Sequence, residues 1–147
     1  MTRATPPAVP EVGDELFSTE CHLGRAELIA YAAASGDHNP IHWSDRIAAE
    51  VGLPGVLAHG MLTMGQAASA VTDWAGDPAR VVEIGARFAA PVVVPDPEGV
   101  RLVVSGSAKA VEGGRVTVAL TVTTPGAGPK PVLGRATAVV DLEETTR

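Results

Sequence analysis

The 147-residue sequence has one cysteine, Cys21, so no disulfide can form within the chain and stability must come from packing. Cys21 lies in an alternating, strand-like run, where a small buried hydrophobe is a simpler reading than a nucleophile. Aromatics are nearly as scarce: two Trp, two Phe and one Tyr leave Val, Leu, Ile and Ala to build the interior. Basic charge is short too, since 11 Lys and Arg against 17 Asp and Glu give a net charge of −6 and a pI near 5.1. Nucleic acid rewards the opposite sign, which argues against it as a partner. No apolar run reaches membrane-spanning length, and MTRATPPAVP lacks the hydrophobic core of a secretory signal. A cytoplasmic chain without a membrane role is therefore expected.

The length suits one domain with a core large enough to fold unaided. The expected division is a loose, proline-marked tail over 1–11, one folded domain over 12–142 and a charged tail over 143–147. From Leu16 to Leu23, Phe17, Thr19, Cys21 and Leu23 alternate with Ser18, Glu20 and His22, which predicts a half-buried strand with a solvated His22. Arg25 to Ala34 reads as a short helix stopped by glycine at Ser35-Gly36. A second short helix, about Ser44 to Val51, has Ser44 as N-cap and Ile47, Ala48 and Val51 facing inward. From about Ala58 to Ala75 comes a longer helix, with Met61, Met64, Ala68 and Val71 at helical steps. It is apolar nearly all round, as a buried helix is, and rich in small residues that allow close approach.

Four strand candidates follow. Val82, Ile84, Ala86 and Phe88 alternate in the first, and Leu102, Val104, Gly106 and Ala108 in the second. Val116, Val118, Leu120 and Val122 alternate most cleanly, and the last strand runs from about Val132 to Asp141. Gly113-Gly114 suits a two-residue hairpin turn. The expected architecture is α+β: an antiparallel meander of four strands in a strongly curved sheet around one buried helix.

The chemistry-bearing residues crowd between Tyr31 and Gly65, where three of the four histidines lie. Asp37 and His42 flank Asn39-Pro40, and Pro40 forces an irregular loop because it lacks a backbone donor and pushes Asn39 out of the helical region. A carboxylate and an imidazole so placed can work as an acid/base pair, although Asp and His are also common in surface loops. Asp37, His38, His42 and His59 can alternatively be read as metal ligands, but Pro40 interrupts the helix that would bring His38 and His42 to one face. Asn39 is a simple turn residue or a positioner of the loop, and Trp43 a packing lid. Gly60 sits where the long helix opens, and serves either close packing or a substrate oxygen approaching unpaired helix amides.

Gly36-Asp37-His38-Asn39-Pro40-Ile41-His42, followed by Ala58-His59-Gly60-Met61, resembles the hydratase motif of the MaoC-like, hot-dog-fold (R)-specific enoyl hydratases and dehydratases. The resemblance runs from about Val12 to Leu142. Through SGDHNPIHWSD, AHGMLTMG and VTDWAGDP it is greatest to the B subunit of the mycobacterial-type (3R)-hydroxyacyl-ACP dehydratases. It implies a hot-dog fold and reversible syn elimination of water from a (3R)-3-hydroxyacyl thioester. His42 would move the C2 proton, Asp37 would hold and protonate the departing hydroxyl, and the Gly60 amide would polarise the thioester carbonyl. Asn39 and His59 would be supporting residues. No metal or organic cofactor is implied. The implied substrate is an acyl-CoA or acyl-ACP thioester, and the implied assembly a homodimer or a heterodimer with a related hot-dog subunit. Where many members carry a hydroxyl on the central helix, this chain has Ala68, which receives no role. A stand-alone (R)-enoyl-CoA hydratase, a noncatalytic acyl-binding subunit and a thioesterase on the same fold are the alternatives.

Overall fold

A computed structural model describes residues 7–126 and 128–143. Most of both expected tails, 1–6 and 144–147, lies outside them, and residues 7–11 carry no regular structure. The elements are β1 (Glu15–Leu23), α1 (Arg25–Ser35), α2 (Asp45–Glu50), α3 (Gly60–Ala75), β2 (Val81–Phe88), β3 (Val100–Glu112), β4 (Arg115–Thr123) and β5 (Leu133–Asp141).

The strands form one antiparallel sheet in the order β1-β3-β4-β5-β2. The Gly113-Gly114 hairpin joins β3 to β4 with Glu112 opposite Arg115, and Gly113 takes the positive φ of 63° that such a turn asks for. The expected four-strand meander is therefore three strands long. β1 already occupies the free edge of β3, with Cys21 opposite Leu102, so β2 crosses to the far edge and pairs with β5, Ile84 opposite Ala138. Register shifts on either side of Ile84 re-aim β2, and its outer residues Val82 and Phe88 are exposed rather than inward.

The cleanest alternation gives the cleanest burial. Val116, Val118, Leu120 and Val122 all face the core, as do Leu102, Val104, Ala108, Ala138 and Val140. Fully burying a Val or Leu contributes roughly 1.5–3 kcal/mol, so this inner face is the main source of stability. Against it lie Ala67, Ala70, Val71 and Ala75 of α3, whose small side chains let the sheet curl closely around the helix.

Helix α3 is not buried all round. Met61 is 57% exposed, and Gly65, Ser69 and Asp73 share its open side. It also starts at Gly60 rather than Ala58, because Val56–Ala58 runs extended beside Val92–Val94. Ala58 N–H donates to Val92 O at 2.8 Å and Val94 N–H to Val56 O at 2.9 Å. In α2 the expected cap holds, with Ile47 N–H donating to Ser44 Oγ, but Val51 lies outside its last turn and is exposed. His22 is exposed, as its polar face implies, and its Nε2 meets Glu98 O at 2.9 Å.

Candidate active site

Gly36 ends α1 in the left-handed conformation, at φ 78°, and returns its N–H to Ala32 O. That turn delivers Asp37 to a loop held by its own polar residues. Asn39 N–H donates to Asp37 Oδ1 and Ile41 N–H to Asn39 Oδ1, each at 3.2 Å. Asn39 thus caps the short 3-10 turn Pro40–His42, whose first position Pro40 suits because no donor is wanted there. The Trp43 indole, exposed rather than a buried lid, donates across the loop to His38 O at 3.1 Å.

A clasp not anticipated from the sequence ties this loop to the body. Arg25 of α1 makes a two-pronged pair with Asp45 at the start of α2, at 2.7 and 3.0 Å, and its Nε–H donates to Val94 O at 2.8 Å. The hydrogen bond from Arg25 holds the Asp45 carboxyl below its ordinary range.

The 3-10 turn presents a buried His42. Its Nδ1–H donates to Leu57 O at 2.7 Å, while Leu57 N–H donates back to Ile41 O at 3.1 Å. With the proton of the neutral ring held on Nδ1, the lone pair is on Nε2. That nitrogen lies 3.7 Å from Asp37 Oδ2, too far for a direct hydrogen bond and suited to a hydroxyl or water between them. Asp37 is half exposed, so the pair joins a buried imidazole to a solvent-reachable carboxyl.

Beneath His42 lies His59, 2% exposed, with ring centroids 3.8 Å apart and planes 22° from parallel. His59 Nε2–H donates to Asp37 O at 3.1 Å, which leaves Nδ1 buried with no partner among the described residues. Tyr31 of α1 closes the stack, its ring tilted against His59 at 4.8 Å. Burial, together with the neighbouring His42, pushes the His59 pKa below the ordinary imidazole value, against the pull of the Asp37 carbonyl. The shift favours the neutral form of the His59 ring.

His59 also precedes α3 as its N-cap and offers no side-chain cap, so the first amides of the helix keep their donors. Gly60 and His42 share one wall of a cavity of about 340 Å³. Thr63 of α3, the Leu57-Ala58 and Phe88–Val92 segments, and Val132 and Leu133 before and in β5 complete it. A Cβ on Gly60 would stand 3.0 Å from the exposed Phe88 ring at the cavity mouth, so the ring would have to shift to accept one.

The structure thus gathers Asp37, His42, His59 and Gly60 at the head of α3, with Asn39 capping the turn that carries His42, whereas His38 is exposed outside the group. Sequence reasoning missed the Leu57 carbonyl, Tyr31, Thr63, Phe88 and the Arg25 clasp. Tyr31 and Thr63 stood within the motif-bearing stretch, Thr63 one turn after Gly60; a backbone carbonyl has no sequence signature. As possible metal ligands, Asp37, His42 and His59 have donor atoms within 4.8 Å of one another. The two imidazoles are stacked, however, so their in-plane lone pairs run side by side rather than converging on one ion.

A curved antiparallel sheet around one helix, with a carboxyl and an imidazole side by side at the helix head, defines a hot-dog-fold protein. The chain belongs to the MaoC-like dehydratase family: the family's MaoC like domain matches residues 9–125. It is 40% identical over 74 residues to 3-hydroxyacyl-thioester dehydratase X of Mycobacterium tuberculosis, a match covering 50% of this chain and 25% of that protein. A solved MaoC-like dehydratase superposes with a TM-score of 0.88 at 38% identity, over 95% of this chain and 43% of that one. The R-hydratase PhaJ1 from Pseudomonas aeruginosa does so with 0.78 at 27% identity, over 95% and 87%. The matched segment therefore covers a quarter of the curated relative, and the chain covers less than half of the first structure. No described helix is long and apolar enough to cross a membrane.

Proposed function

We propose that this protein is a hydro-lyase that interconverts (3R)-3-hydroxyacyl and trans-2-enoyl thioesters in fatty-acid elongation, as the catalytic member of a pair of hot-dog units in the cytoplasm. The observation that carries this is the 3.7 Å gap between His42 Nε2 and Asp37 Oδ2 beside the Gly60 end of α3. The thioester carbonyl accepts from the Gly60 amide, helped by the positive end of the helix dipole, which acidifies the C2 proton. His42 Nε2 takes that proton as the C2–H bond breaks and the C2=C3 bond forms. The C3–O bond breaks, and the hydroxyl leaves as water with a proton from the Asp37 carboxyl. Return of the proton from His42 to Asp37, across their gap or through water, resets the site. His59 and Asn39 support the pair, one through the ring stack and the Asp37 carbonyl, the other by capping the 3-10 turn. The mechanism uses no metal or organic cofactor.

The second unit is a copy of this chain or a related hot-dog subunit, and it pairs along β2. That strand is a sheet edge with Val82 and Phe88 exposed, a surface that single chains ordinarily blunt or cover. A related unit is favoured by the greater length of the relatives, and the acidic balance leaves room for basic residues from the partner toward an acyl carrier protein. One observation favours a second reading, a stand-alone (R)-enoyl-CoA hydratase: PhaJ1, an R-hydratase, is nearly covered by this single unit.

Incubation with crotonyl-CoA tests the chemistry. The expected result is loss of enoyl absorbance with wild type and none with His42→Ala. Release of free thiol would indicate a thioesterase instead, and equal rates for both proteins would remove His42 as base. Full activity of the purified chain alone favours the stand-alone hydratase; activity that appears only with a related subunit favours the pair.

A further inference from the structure

The cavity lining has one side-chain hydroxyl, that of Thr63, and it is held more loosely than the other back-bonded threonine of the same helix. Thr63 is 1% exposed and lines the apolar pocket that also holds His42 and Gly60. Its hydroxyl reaches His59 O at 3.5 Å, at the outer limit of a hydrogen bond. The same helix provides the comparison: Thr72 bonds back to Ala68 O at 2.9 Å. The two residues share the i−4 geometry, so the helix permits the short bond and Thr63 does not make it. The carbonyl it faces is already engaged, accepting Thr63 N–H at 3.1 Å. A buried hydroxyl so weakly held costs free energy unless another acceptor completes it.

Side chains on a helix lean toward its N-terminus, so the Thr63 hydroxyl lies over the turn that begins with Gly60. We propose that Thr63 Oγ1–H is a second donor to the thioester carbonyl oxygen, swinging from His59 O to share that oxygen with the Gly60 amide. This rests on the hydratase reading above and adds to it a side-chain contact on the reacting group. Negative charge grows on that oxygen as C2–H breaks, so the bond strengthens in the transition state and acts on kcat more than on KM.

The test compares wild type, Thr63→Val and Thr63→Ser in crotonyl-CoA hydration, with the carbonyl stretch of bound butyryl-CoA, which cannot turn over, read by difference infrared. Valine keeps the shape and removes the hydroxyl; serine keeps the hydroxyl. The expected kcat loss for Thr63→Val is about 10- to 100-fold, below the 10²–10³ typical of losing a main oxyanion donor, with KM within about threefold. Serine stays within about threefold of wild type, and the carbonyl stretch lies lower in wild type and serine than in valine. An active wild type with an equally active Thr63→Val, or a serine variant as impaired as valine, overturns the Thr63 assignment alone. A wild type inactive both alone and with a related hot-dog subunit overturns the hydratase reading and takes this assignment with it.

Discussion

The buried, neutral His59 makes a specific demand on stability as a function of pH. In the unfolded chain its imidazole is protonated as pH falls through about 6.5. In the folded protein, burial and the stacked His42 hold its pKa lower, so the folded state stays neutral over a window just below that value. In that window the unfolded state binds more protons, and stability falls as pH falls. The contribution is therefore complete above the ordinary imidazole value, is lost on acidification, and levels off below the folded-state pKa. One proton sets the ceiling: the His59 part of the slope cannot exceed about 1.4 kcal/mol per pH unit. His59→Gln keeps a donor toward Asp37 O and cannot titrate. Urea unfolding of both proteins at half-unit steps from pH 8 to pH 5 isolates the effect as a difference. The wild-type-minus-variant stability should be flat above about pH 7 and decline below about pH 6.5. A difference that stays constant to pH 5, or rises on acidification, would refute a neutral buried His59.

Asp37→Asn should lower hydration kcat by about 10²- to 10⁴-fold, as loss of a general acid does, while a half-exposed side chain leaves the melting temperature nearly unchanged; kinetics and calorimetry check both. Gly60→Ala places a methyl 3.0 Å from the Phe88 ring at the cavity mouth and should raise KM for crotonyl-CoA; adding Phe88→Ala should restore it in part. Leu102→Ala, at a fully buried site between β1 and β4, should cost about 2–5 kcal/mol in urea unfolding.

Local patterns were legible to the extent that their causes are local. The β4 alternation, the Gly113-Gly114 turn, the Ser44 cap and the Gly36 stop each follow from the geometry of a few neighbouring residues, and each is where it was expected. The approach of Asp37 to His42 was legible too, because Pro40 limits the paths the loop can take. Strand order was not: nothing within Val81–Phe88 announces that β1 occupies the neighbouring edge and sends β2 to β5. The open side of α3 was hidden for a related reason. Apart from Gln66, Thr72 and Asp73 its residues are mostly apolar or small, and the curvature of the sheet decides which of Met61 and Ala67 is covered. The Leu57 carbonyl that fixes the His42 tautomer could not be read either, since every residue carries that group. The buried state of His59 depends on Tyr31, 28 positions earlier and on another helix.

The central claim is that one water is held between Asp37 and His42 while the thioester carbonyl is held at the head of α3. Its most direct test is product analysis of crotonyl-CoA turned over in deuterium oxide. The expected product is (3R)-3-hydroxybutyryl-CoA with one deuterium at C2, added to the same face as the oxygen. A (3S) product, deuterium on the opposite face, or free CoA without hydroxylation would contradict it.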